Sequence, residues 1–328
     1  MSTQDPGISA ISARYTRFAD LEARGRSPLY EEIARGVAGD RDVLAFLLRL
    51  PEEKRQPNLL LAAVRHHCGT PSGWHGFREA LLGNCDAVHA VMLGRSTQTN
   101  EPARCATLLP LLARLPAPLA LIEVGASAGL CLLPDCYGYD YGRGLITPRG
   151  GRGEGPLFTC AVNAATPIPD RLPEIVWRAG LDLNPIDVND GAQMAWLETL
   201  VWPDQPRRLA NLRAAIRIAA AQTPRVVKGD LLGDGLAKLC GEAPGDATLV
   251  VFHSATVAYI ARAEKRQAFA QQAMSLCRYW ISNEYPRVFP NIANRAGARD
   301  ATGDFLLAMN GVPIAWTDPH GAAIKWIG

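Results

Sequence analysis

The chain has 328 residues, 48% hydrophobic and 20% charged, with a formal charge of +2; this is the composition of an ordinary globular protein long enough for about two domains. A balance so near neutral argues against nucleic acid or an anionic membrane surface as a partner. No apolar run approaches the ~20 residues of a membrane span, and MSTQDPGISAIS at the start lacks the basic segment and apolar block of an export signal, so a cytoplasmic location is expected.

Residues 8–115 read as helical almost throughout. Ile11, Tyr15, Phe18 and Leu21 recur at three- and four-residue spacing, the mark of one apolar helix face. Ser27 and Pro28 suit the cap and first turn of the next helix, and Asp40 caps a third with Val43, Leu44, Leu47 and Leu48 as its buried stripe. LLLAAVRHH after Pro57 is a core helix, 70–76 a loop, 77–94 helical again, and 101–115 a helix ended by Pro116. Residues 1–116 are therefore predicted to form an all-α N-terminal or cap domain.

From Leu119 the pattern alternates between strand and helix. LALIE (119–123) is a buried strand; Gly125-Ala126-Ser127-Ala128-Gly129 is a tight turn, and the apolar residues after it predict a helix. Residues 137–170, with Arg143, Arg149 and Arg152, read as a loop or hairpin insertion. Strands follow at 174–182, 225–228, 247–254 and 278–284, with helices from Asp190, over 209–221 and over 262–277. Runs 305–309 and 314–327 flank Asn310-Gly311, a hairpin signal. Residues 117–328 are thus predicted to be an α/β, Rossmann-like domain, its sheet mostly parallel with an antiparallel C-terminal strand.

The strand ends are consistently polar: Glu123, Asp182, Asp230, His253-Ser254 and Asn283-Glu284. Ligands of open α/β sheets bind beyond those ends. An acid just before the glycines, with spacing that is not GxGxxG, favours S-adenosylmethionine over a dinucleotide. The layout resembles the class I methyltransferase fold. The segments EVGASAGL, GLDLNPIDV, WL…LVWPD and QTNEPARC, with the late His320-Gly321, also resemble an uncharacterised bacterial family, domain of unknown function 2332, over almost the whole chain. Cys131 stands where Asn is common in that family, and Ala322 and Ala323 where larger residues are expected.

In the methyltransferase reading, Glu123, Gly125, Ser127 and Gly129 cradle the methionine part of the cofactor. Asp182 accepts the ribose hydroxyls with Asn184 beside it, and Asp230 receives the adenine amino group. Asp182 lies 59 positions after Glu123 (182 − 123), against about 20 for the ribose acid of a dinucleotide fold. Gln98, Asn100 and Arg104 are candidate substrate contacts, and His253, Glu101 and Glu284 candidate acid–base groups. The plainer readings are a packed strand–helix connection for 125–129, a helix cap for Asn100 and Glu101, and a hydrogen-bonded strand-end histidine for His253. A Ser–His pair at 253–254 is disfavoured, because neighbours on a strand point to opposite faces. The eight cysteines contain no CxxC pair, and His66, His67, Cys68, His75, Cys85 and His89 complete no zinc set, so no metal is expected. The sequence favours a small-molecule substrate and leaves open a non-catalytic ligand-binding protein of the same fold or an NAD(P)-linked enzyme.

Overall fold

A computed structural model describes residues 6–98, 100–148, 155–297 and 304–327; Thr99, Arg149 and Arg152 lie outside the described residues. The chain forms two compact units, one of residues 1–99 and 192–209, the other of 100–191 and 210–328.

The first unit is helical. Ser27 caps the helix Pro28–Gly39 by accepting from Tyr30 N (3.1 Å), and Asp40 caps Arg41–Leu48 by accepting from Asp42 and Val43 N, both 3.0 Å. Each such cap is worth about 1 kcal/mol. The run expected as one helix over 77–94 is two, Trp74–Gly83 and Cys85–Gly94, because the chain leaves helical geometry at Asn84. Trp196 and Trp202 show why 192–209 joins this unit. Trp202 lies edge-on to Phe18 and tilted against Tyr30 and donates to Asn58 Oδ1 (3.0 Å), while Trp196 sits edge-on to His66 and donates to Ser96 O (2.9 Å). Each ring buries a large apolar area, and its one polar atom is satisfied.

Among the described residues, the second unit is built on a sheet of nine strands. They are β1 (Leu119–Val124), β5 (Ala161–Val162), β6 (Ile175–Asp182), β7 (Arg225–Lys228), β8 (Thr248–Ser254), β9 (Tyr279–Glu284), β10 (Phe305–Met309), β11 (Val312–Thr317) and β12 (Ala323–Trp326); β2 (Gly138–Asp140), β3 (Leu145–Ile146) and β4 (Leu157–Thr159) form a small second sheet. The large sheet runs β5-β12-β11-β10-β9-β8-β1-β6-β7. Strands β7, β6, β1, β8 and β9 are mutually parallel, β9 through β12 alternate in direction, and β5 pairs parallel with β12. The chain steps outward from β1 to β6 and β7, then returns to the other side of β1 for β8 and β9. The reversal lies between β1 and β8.

Asn310 and Gly311, with φ of 48° and 74°, make the two-residue turn between β10 and β11. The strand expected over 314–327 is divided: Asp318 Oδ1 accepts from His320 N (2.8 Å) and Ala322 N (3.2 Å), turning the chain between β11 and β12. The helix expected after Gly129 is also absent. Gly129 is left-handed (φ 70°), and only 3-10 turns follow, Leu130–Leu132 and Pro134–Cys136, since Pro134 has no N–H to continue a helix. Similarly, the helix expected over 101–115 starts as a 3-10 turn, Pro102–Arg104, before Cys105–Leu112. A helix the sequence reading did not identify, Gly235–Glu242, buries Leu236 and Leu239 with Ile122, Val124, Val251 and Trp280.

Candidate ligand site at the strand ends

The turn after β1 holds three left-handed residues, Gly125 (φ 77°), Ser127 (51°) and Gly129 (70°). For a serine this costs about 1 kcal/mol or more, so something must hold it. Three groups do. Gly125 N donates to Leu181 O (2.7 Å), and Ser127 N donates to Asp182 Oδ2 (2.8 Å). The Asn100 amide donates to Ser127 Oγ (2.6 Å) while its oxygen accepts from Ala128 N (2.9 Å). The second oxygen of Asp182 accepts from Asn184 N (2.7 Å). Asp182 and Asn100 therefore brace the turn from both flanks. The carboxylate keeps lone pairs beyond those two bonds.

A Cβ at Gly125 would collide with Thr256 in the loop after β8, so this glycine admits that loop. Ala255 beside it is also left-handed, at φ 55°. Two non-glycine residues in this conformation thus sit in the loops after β1 and β8, one on each side of the reversal. Backbone strain of this kind clusters at ligand sites.

Register divides the remaining candidates between the two faces of the sheet. Glu123 pairs with Phe252, His253 with Ser282, and Ser254 with Asn283, and alternate residues share a face. On one face His253 is fully buried, its ring against Phe269, Trp280 and Phe289 at 5.5, 5.7 and 6.3 Å between centroids. Its Nδ1 shares a 2.8 Å hydrogen bond with Glu284 Oε1, which also accepts from Thr256 N (2.8 Å) and Val257 N (2.9 Å). Glu284 is therefore the anchor of the loop that rests on Gly125. His253 Nε2 and Glu284 Oε2 are sealed from solvent and make no hydrogen bond among the described residues.

The other face carries Glu123, Ser254 and Asn283. Asn283 donates to Ser254 Oγ (3.3 Å) and accepts from Thr317 Oγ1 (2.7 Å). Glu123 is 5% exposed, and burial above all, then Cys131, holds its carboxyl well above the usual range against the pull of Arg104. The neutral acid is thus the form this site favours. Its Oε2 makes no hydrogen bond among the described residues. Glu101 accepts from Ala103 N (3.2 Å), capping the 3-10 turn. Arg104 donates from Nε to Pro319 O (2.8 Å) and from Nη1 to Ser254 O (3.2 Å), its guanidinium 5.6 Å from the Phe305 ring centre.

Of the thirteen or so positions singled out from sequence, the structure gathers Glu123, Gly125, Ser127, Gly129, Asp182, Asn100, Glu101 and Arg104 around the turn after β1. His253 and Glu284 lie together on the opposite face. Asn184 and Asp230 are exposed, and Asp230 accepts from Leu232 N (2.9 Å). Gln98 belongs to the first unit, where it is partly buried. The sequence reading passed over Thr256, whose only signal was its place after a strand end. It also passed over two exposed apolar side chains on successive strand-end loops, Leu183 (57%) and Leu232 (37%); Tyr259 (75%), in the next such loop, is a weaker candidate from sequence of the same kind as His253. Gly125-Ala126-Ser127-Ala128-Gly129 further matches the Gly-x-Ser-x-Gly spacing of a hydrolase elbow. Its geometry opposes that use: Asn100 takes the Ala128 N–H that would serve an oxyanion, and His253 faces the other side of the sheet.

Residues 12–326 match the model of a family of uncharacterized proteins conserved in bacteria, DUF2332, and the chain belongs to that family. No curated protein and no solved structure matches it.

Proposed function

We propose that this family member is an S-adenosylmethionine-dependent methyltransferase acting on a small molecule, with its Rossmann-like sheet as the cofactor platform. One observation carries the reading. The parallel strands reverse direction of travel between β1 and β8, and a braced, left-handed turn of small residues stands at that point between two acids, Glu123 and Asp182. A crevice there is where such sheets take their ligands.

The residues fit the cofactor's chemistry. Gly125, Ser127 and Gly129 bring backbone close to the methionine portion, and Glu123, with one carboxyl oxygen lacking a partner, meets the ammonium group. Asp182 retains lone pairs for the ribose hydroxyls. Leu183 and Leu232 offer apolar surface at the neighbouring strand ends for the adenine, with Asp230 for its amino group. When bound, the cofactor supplies an electrophilic methyl on a sulfonium. The protein's part is to align a nucleophile with it and to accept a proton where the nucleophile carries one. Glu101 is the candidate acceptor on the Glu123 face. Isothermal titration with S-adenosylmethionine and S-adenosylhomocysteine tests the reading; absence of binding by both at millimolar ligand overturns it.

A second reading, a ligand-binding protein without the chemistry, is favoured by the burial of His253 and Glu284 in aromatic packing, where neither is presented as a base. Cofactor binding with no methyl transfer across a panel of small nucleophiles would select it.

A further inference from the structure

Arg104 carries the charge problem of this site. It is 6% exposed, yet its guanidinium donates only to two backbone carbonyls, those of Ser254 and Pro319, and rests near the Phe305 ring. Among the described residues no carboxylate comes within ion-pair distance of it, and Nη2 makes no hydrogen bond. An arginine taken out of water is normally paired, because an uncompensated buried charge is costly. The nearest candidates decline the role. Glu123 is held towards its neutral form, and Glu101 turns one oxygen to the Ala103 N–H.

A second, independent sign lies on the same face. Glu123 is about as deeply buried, and its Oε2 also lacks a partner. A cation without an anion and a carboxyl with a free oxygen flank the turn at the reversal point. We propose that Arg104 is the receptor for a carboxylate of the bound ligand, received by the free edge of its guanidinium at the ends of β1 and β8. This rests on the ligand-site reading above and specifies the chemistry of what enters.

Charge selects a carboxylate over a dianionic phosphate. The one positive charge of Arg104 matches a monoanion, and a dianion would leave a second negative charge unpaired out of water. The planar guanidinium also offers adjacent N–H groups at the spacing of two carboxylate oxygens. The carboxylate has two possible sources, the methionine end of the cofactor or a separate carboxylic acid substrate.

The test uses the full chain, wild type with Arg104→Lys and Arg104→Gln, each first shown by its melting transition to be folded. Isothermal titration compares S-adenosylmethionine with its decarboxylated analogue, and melting in acetate is compared with melting in chloride at equal ionic strength. If the cofactor is the source, wild type binds S-adenosylmethionine about tenfold or more tighter than the analogue, and Arg104→Gln loses that preference. If a substrate is the source, wild type shows no such preference, but acetate raises its melting temperature and not that of Arg104→Gln. Failure of both nucleosides to bind, with the acetate effect intact, removes the cofactor reading and leaves the carboxylate receptor standing. Equal responses of wild type and Arg104→Gln to every ligand overturn it, and the nucleoside comparison within wild type holds even where a variant does not fold.

Discussion

The two units solve burial differently. The helical unit is stabilised by a nearly pure apolar core, whose buried polar groups among the described residues include Ser27 and the unpartnered hydroxyl of Tyr15. The sheet unit buries Glu101, Arg104, Glu123, His253, Asn283 and Glu284 at or near its strand ends. A polar group kept out of water lowers stability unless fully partnered, and several of these are not. The difference teaches where the fold keeps polar groups out of water at a cost to stability. The helical unit reads as a solved packing problem, and the sheet unit as a site.

Substitutions can break that comparison. Leu60→Ala, at a position with no exposure, should lower the stability of the helical unit by about 2–5 kcal/mol in denaturant unfolding, without changing its pH dependence. A pH-dependent loss would show that this core is less apolar in its energetics than in its composition. Glu284→Ala should cost about 2–4 kcal/mol in the sheet unit, since it strands two backbone N–H groups and His253. Glu284→Gln, which keeps an acceptor, should recover much of that; equal losses would mean that Glu284 does not act through the loop it anchors. Asn100→Ala should cost about 1–2 kcal/mol by releasing Ser127 and Ala128, read as faster hydrogen exchange at 125–129. Unchanged exchange would remove Asn100 as a brace.

The smallest effect near pH 4 is one that grows as pH rises. Burial raises the Glu123 carboxyl above its ordinary value of 4.5, so the folded protein retains a proton that the unfolded chain gives up. This group's contribution is therefore full below about pH 4.5 and declines as pH rises towards the folded-state value. Glu123→Gln, which mimics the neutral acid, should match wild type near pH 4 and be the more stable protein at pH 8. A variant less stable at pH 8 would mean that Glu123 is an ion in the folded state.

Much of the fold was legible because it was written in local chemistry. The continuous apolar run of β1 could only be a doubly covered strand, and Asn310-Gly311 specified its own turn. Less legible was whatever depended on distant partners. Pro134 in LCLLPDC is a visible stop, but the run before it reads as a helix until Gly129 is known to be left-handed. The site was legible by residue type and much less by role. Asp182 and Asn100 are read from sequence as ligand contacts, yet each spends its side chain on the turn, a use that only tertiary contact across 55 and 28 residues reveals. His253 and Ser254 were separable from sequence, since alternation on a strand is a rule without tertiary input.

One feature of the sheet has a consequence for the order of events during synthesis. The edge strand β5 pairs with β12, and the Asn163 side chain holds both the N–H and the carbonyl of Trp326, at 3.0 Å each. Residues made midway thus wait for a partner more than 150 positions later. Until residue 326 has left the ribosome, β5 and β11 each present an unpaired edge, and pairing across so long a separation is slow. The nascent sheet unit is exposed to strand-swapping with a neighbouring chain through most of its translation, and closure of that edge is the step at which the hazard ends.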